Sequence, residues 1–201
     1  MDSICYGWRN ERIIMSSRIE EPRPTGESAP VMVAQNVIAA AVLCIGEVIA
    51  APLYMIMVHG GIALVPWMMV ACMLAVAFCA TAGFALLWLA QSLVSRMSGV
   101  HAVVVYAVTG FVGFGLWGFL VVVSLIDSLT VAQGLAALVA GQALSVAFNS
   151  AVWGFLGYGG AQAVGERFAR HRRAVYVTGA VLVIVAAVGL FYAVSMFSVV
   201  Y

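Results

Sequence analysis

One ionisable group stands where ionisable groups are expensive. Glu47 is the only acid inside a long apolar stretch, near the middle of about residues 31–58. An ionised carboxylate facing lipid at that depth costs about 2.5–3.5 kcal/mol on insertion scales, so Glu47 must face other helices. No Arg, Lys or His falls at a comparable depth in any apolar stretch, and without a basic partner burial favours the neutral acid. Asn36, Ala40 and Leu43 share its helical face, Asn36 lying three turns earlier. Pro52 removes a backbone donor from the same helix, which frees a carbonyl near Glu47 for a ligand or water. The chemistry such a group can do is narrow. It handles a proton or a cation on a transport path, or it hydrogen-bonds a neighbouring helix as glue.

The partners for that chemistry are amides. In the fourth apolar stretch Gly141, Ser145 and Asn149 recur every four residues with Gln142 beside them, a spacing that lets helices approach while amides bond across the contact. Gln142 or Gln133 reaches Glu47 if the two stretches overlap in depth. The candidate intramembrane polar site is therefore Glu47, Asn36, Gln142 and Asn149. In the third stretch Gly110, Gly113, Gly115 and Gly118 alternate with Phe111, Phe114, Trp117 and Phe119, which predicts close helix packing. Outside the apolar stretches, Arg167, Arg170, Arg172 and Arg173 form a basic cluster. Each contributes about 1 kcal/mol near an anionic leaflet, so the cluster is a candidate anionic-lipid contact and, more simply, a determinant of topology.

Other chemistry finds no support. The sequence has no HExxH, GxSxG or P-loop and no paired carboxylates at helical spacing, so no catalytic residue is assigned and an enzyme is not expected. Cys5, Cys44, Cys72 and Cys79 lack CxxC spacing, and His59, His101 and His171 are dispersed. Neither a metal site nor a cofactor is indicated, and the cysteines read as small apolar side chains. Asp127 stands alone, where the N-cap of the fourth helix would explain it.

The elements that must carry these residues are membrane helices. Hydrophobic residues make up 65% of the 201-residue chain and charged residues 8%, against about 25% charged in ordinary globular proteins. A soluble fold of this size cannot hide so much apolar side chain. About 20 apolar residues cross the hydrocarbon core as a helix, and five stretches qualify: about 31–58, 62–90, 102–126, 129–163 and 175–200. The fourth is too long for one crossing and is expected to break near 154–160, at Gly154, Gly157, Gly159 and Gly160, with residues 161–173 as a short helix on the membrane surface. The predicted fold class is thus all-α, a polytopic bundle of about five transmembrane helices. Residues 31–201 form the membrane domain. Residues 1–30, with Pro22, Pro24, Gly26 and Pro30 among charges, read as a disordered tail without the pattern of a signal peptide, and Met15 is an alternative start.

Arginine sets the orientation. The tail, the second loop (Arg96) and the fourth loop hold all nine basic residues, and the first and third loops hold none. By the positive-inside rule the N-terminus is cytoplasmic and the C-terminus outside. Tyr54, Trp67 and Tyr201 then fall near the outer interface, and Trp88, Tyr106, Tyr158 and Tyr176 near the inner one. Trp117 and Trp153 lie deeper, against other helices. The composition, rich in Ala, Val, Gly and Arg with no Lys, suggests a bacterial plasma membrane. The expected partners are the lipid bilayer and other membrane helices, of a second copy or another protein, and no nucleic acid. Two functions fit: a non-enzymatic membrane subunit or accessory protein, and a small oligomeric transporter or channel with Glu47 in its path. A water-accessible cavity reaching Glu47 favours transport. A Glu47 sealed among helices favours the subunit.

Overall fold

The computed structural model describes residues 29–57, 63–95, 99–132 and 134–200. Among these there are helices and short connections and no strands. That is the outcome a lipid environment enforces, since a spanning segment must satisfy its own backbone hydrogen bonds. The helices are α1 (Val31–Met57), α2 (Leu64–Val94), α3 (Val100–Ala132), α4 (Ala140–Ala169) and α5 (Arg172–Val200). The chain is an all-α bundle in which four helices, α1, α2, α3 and α5, are long and apolar enough to cross a membrane.

The fourth helix differs from its expected form. It runs unbroken from Ala140 to Ala169, straight through Gly154, Gly157, Gly159 and Gly160, so neither a break nor a separate surface helix exists there. Glycine weakens a helix that faces water, but Gly154 and Gly157 are buried against neighbouring helices that hold them in place. The extra length predicted for this span belongs to α3, which continues to Ala132. Gly134, at φ 75°, ends α3. The Leu135 N–H reaches the Thr130 carbonyl and the Gly134 N–H reaches that of Val131, a glycine-closed helix end. Asp127 is accordingly inside α3 rather than an N-cap. Its Oδ1 accepts the Leu138 N–H at 2.7 Å and so pins the α3–α4 loop.

Although α4 is too polar to count among the four apolar helices, it lies along the middle of the bundle. It packs antiparallel to α1, with Gln142 beside Met57 at one end and Gln162 beside Gln35 at the other. Its other face meets α3, where Gly110 and Gly154 meet backbone to backbone and Gly115 and Gly118 abut Ala151 and Ser150. Gly113 turns instead to Leu86 of α2. All four glycines of the third stretch are thus packing positions, because a Cβ at any of them would strike a neighbouring helix. On the far side α2 packs on α1, and α5 packs on α2 with Gly189 against the Met69 carbonyl. The apolar core falls into two large clusters, one centred on Leu43, Phe78 and Tyr158 and the other on Tyr54, Trp67 and Ile126, with a small third one of Ala29, Ala34, Ala169 and Val175.

Two helices contain a widened π-helical turn, Cys79–Gly83 in α2 and Gly118–Val122 in α3. Such turns are rare and gather at functional sites. The aromatic side chains assigned to the interfaces differ in which way they face. Trp88 and Tyr176 are exposed, as interfacial anchors would be, but Tyr54, Trp67, Tyr106 and Tyr158 are core residues. Tyr54 and Trp67 pack edge to face with centroids 6.4 Å apart. Trp117 packs on Phe78 with centroids 5.6 Å apart and Trp153 lies over Gly46.

Candidate functional site

The α1–α4 seam gathers the polar side chains into a line. At the end near the α3–α4 loop, Gln142 closes the start of its own helix: its Oε1 accepts the Val139 N–H at 3.1 Å. Its Nε2 donates to the Met57 carbonyl at 3.3 Å. Further in, Asn149 Nδ2 donates to the Tyr54 hydroxyl at 2.8 Å. Near the centre stand Glu47 and Ser150, 1% and 0% exposed. At the opposite end Gln35 Nε2 donates to Gln162 Oε1 at 2.8 Å. Each amide bonds across the seam, as interhelical polar groups do where lipid offers no alternative.

Four candidates were named from the sequence, and the structure does not bring them together. Glu47 faces the bundle interior, as required of an acid at that depth. Asn149 sits next to Ser150, one bond away from Tyr54. Gln142 lies at the Met57 end, about 15 Å along α1 from Glu47, and Asn36 is about 16 Å away in the other direction. Asn36 Oδ1 is buried without a hydrogen-bond partner. Gln133 lies outside the described residues. The stripe of Gly141 and Ser145 points outward, Ser145 bonding back to the Gly141 carbonyl. The inward face of α4 is instead Val146, Ser150, Gly154, Gly157, Tyr158 and Ala161. Pro52 is exposed on the lipid side of a continuous α1.

Sequence reasoning missed Ser150 and Tyr54. The hydroxyls of both border the Glu47 carboxyl, and the Cys72 thiol approaches from α2. Neither carboxylate oxygen forms a hydrogen bond of good geometry, and neither does Ser150 Oγ. Cys72 and Cys44 are tied to each other's backbone: each thiol donates to the other's carbonyl, at 3.6 and 3.7 Å, joining α1 to α2. Gly118, which opens the π turn of α3, lies over Ser150. Gly83, which closes that of α2, faces the Tyr158 hydroxyl. The two π turns thus each overlie a buried hydroxyl of α4, and both hydroxyls lack a partner. The signal that finds Ser150 is its place beside Asn149 on the side of α4 turned towards the small residues of α3.

Two cavities flank this line without touching Glu47. One of about 240 Å³ lies under the α3–α4 loop, between Met57, Thr130 and Gln142. The other, about 500 Å³, is an apolar groove between α2 and α3, bordered by Phe78, Leu86, Gly113 and Trp117. Among the described residues no group of three His, Cys, Asp or Glu side chains is placed to hold a metal ion. Arg167, Arg170, Arg172 and Arg173 are all exposed at the α4–α5 turn, and the Arg172 guanidinium lies 5.5 Å from the Tyr176 ring centre. His59, Arg96 and the N-terminal segment to residue 28 lie outside the described residues. Comparison of the chain with protein-family models, with curated proteins and with solved structures finds no match. The chain is an integral membrane protein by its helices alone.

Proposed function

We propose that the protein is a non-enzymatic subunit or accessory protein of a bacterial plasma-membrane assembly. The observation that carries this reading is the sealing of Glu47. Its side chain is 1% exposed, between the two large clusters of the apolar core. A carboxyl that handled a transported ion would need a wet approach. The exposed arginines of the α4–α5 turn support a cytoplasmic placement for that turn, and with it a cytoplasmic N-terminus and an external C-terminus. They also suit contact with anionic headgroups, at about 1 kcal/mol each. The peripheral α5, with Val183, Ile184 and Phe191 exposed, is the helix that a second copy or a partner helix would cover.

Two measurements test the reading. Purified protein in liposomes should pass protons and sodium no faster than empty vesicles. Single cysteines at Ile184 and Phe191 should cross-link to one discrete partner, or to a second copy, in native membranes. Flux that disappears in Glu47→Gln overturns the proposal, as does an α5 face that yields no adduct. A second reading, a small oligomeric transporter or channel with Glu47 as its ion-handling carboxylate, draws on the two π turns and the unpartnered hydroxyls beneath them. Glu47-dependent flux is the result that would put it first.

A further inference from the structure

The positive-inside rule asks only that arginines lie somewhere in the cytoplasmic loops. It does not ask that they be mounted rigidly, and here they are. α4 ends at Ala169 and α5 begins at Arg172, so two residues separate two long helices. The His171 N–H donates to the Phe168 carbonyl at 2.9 Å, and His171 Nδ1 lies 3.2 Å from the Arg167 carbonyl. The small apolar cluster of Ala29, Ala34, Ala169 and Val175 seats the turn on the start of α1, where the Ala29 N–H donates to the Ala169 carbonyl at 3.1 Å. Arg167, Arg170, Arg172 and Arg173 stand exposed on this fixed frame, with Glu166 the one acid beside them among the described residues. The Arg172 guanidinium is laid against the Tyr176 ring, one turn into α5.

This placement of charge is unfavourable for the chain by itself. Arg167 and Arg170 close α4, where the helix dipole favours cations. Arg172 and Arg173 open α5, at the end where the dipole disfavours cations and favours an anion. Like charges crowded into seven residues also repel one another. An anion at the turn answers both. Arg170 and Arg173 are three residues apart, so their Cα atoms are separated by at most about 11 Å, and two arginine side chains can meet on one phosphate across that gap. The guanidinium fork suits it, gripping phosphate oxygens with paired N–H bonds. Beyond the arginines α5 turns an apolar face outward. Arg173, Val177, Val181 and Ile184 follow one another at helical spacing, and all four are exposed. The rise from Arg173 to Ile184 is about 16 Å, half of the ~30 Å hydrocarbon core. That is the depth of one leaflet.

We propose that the α4–α5 turn and the adjoining face of α5 bind one anionic phospholipid of the inner leaflet. Arg170 and Arg173 hold its phosphate, and its chains lie along Val177 and Val181. Charge complementarity selects an anionic headgroup, and the apolar stripe beside it selects a lipid over a soluble phosphate. The outer half of α5, with Phe191, is left to a protein partner. The inference rests on the cytoplasmic placement of the turn proposed above, and it holds whether the protein is a subunit or a transporter.

The test is the melting temperature of the purified full-length protein in an uncharged detergent, with phosphatidylglycerol or phosphatidylcholine added at the same mole ratio. A ligand that binds only the folded state stabilises it by mass action, so phosphatidylglycerol should raise the midpoint by about 4 °C or more over phosphatidylcholine. Glycerol phosphate, a headgroup without chains, should give less than half of that rise. The double variant Arg170→Lys, Arg173→Lys keeps the charge, and with it the topology, but loses the fork of paired donors. It should lose at least half of the response, and Arg170→Gln, Arg173→Gln should lose most of it. Equal midpoints in the two lipids overturn the site. A lysine variant that keeps more than half of the response overturns it too, because diffuse charge then suffices. A larger share than half from glycerol phosphate overturns the choice of a lipid. Labelling that finds residue 171 outside the cell overturns the leaflet. Neither flux nor cross-linking enters these readouts, so the two proposals fail separately.

Discussion

The fourth and fifth helices have nearly the same length and opposite characters. α5 is the most apolar of the candidate spans, with mean hydropathy 2.5, yet only 17% of that window is buried in the bundle. α4 falls below the hydropathy of a spanning helix but is gripped by α1 and α3 from end to end. In a soluble protein the more apolar helix would be the inner one. Here lipid is as apolar as any core, so hydrophobicity brings no helix inward. Position is set by what lipid cannot supply, which is hydrogen-bond partners for Gln142, Asn149 and Gln162 and room for backbones to touch at Gly154.

That contrast can be broken most severely at the glycine crossing. A leucine at Gly154 would drive its side chain into the Gly110 carbonyl, backbone that has nowhere to go. Gly154→Leu should cost about 3 kcal/mol or more and abolish the monodisperse peak on size exclusion. Gly189→Leu makes a comparable clash with the Met69 carbonyl, but at the periphery. Its expected cost is about 1–3 kcal/mol, with hydrogen exchange rising along α5 and unchanged at the α1–α4 seam. If α4 is disturbed equally, the two helices are not independent and the comparison fails. A double-mutant cycle on Asn149→Ala and Tyr54→Phe should return a coupling of about 1 kcal/mol by thermal or denaturant unfolding. Ile184→Ala, on the exposed face of α5, should leave stability within about 0.5 kcal/mol. A larger loss in a detergent-purified sample would mean that α5 is covered by another protein chain.

Much of this architecture is written in residue type, because the rules of lipid are few. A charge at Glu47 has only the interior to face, and crowded glycines at 110–118 have to touch something. The assignments that failed all concern phase and register. Gly154–Gly160 looked like a bend because glycine weakens an isolated helix; only tertiary contact shows that these positions are clamped. Asn36 and Glu47 were joined by helical geometry on one face, which gives direction but not reach. Ser145 and Asn149 were given one face as well. The first bonds its own helix and the second bonds Tyr54. Ser150 is set apart from Ser145 in the sequence only by its place beside Asn149. Aromatic residues were placed by depth, which does not say whether a ring faces lipid or the bundle; Tyr54, Trp67, Tyr106 and Tyr158 face the bundle.

The π turns bear on how the molecule could have come to be and how it can be altered. Each holds one residue more than an α-helical turn of the same span, so everything beyond it is rotated by about 100° relative to a regular helix. Excising a single residue from Gly118–Val122 would leave a perfectly good helix, yet one whose last turns address the wrong neighbours. Asp127, which fastens the α3–α4 loop from those turns, would swing away from Leu138. Sequence length within α2 and α3 is thus as tightly specified as composition is loose, and single-residue insertions or deletions there should be far less tolerated than apolar exchanges.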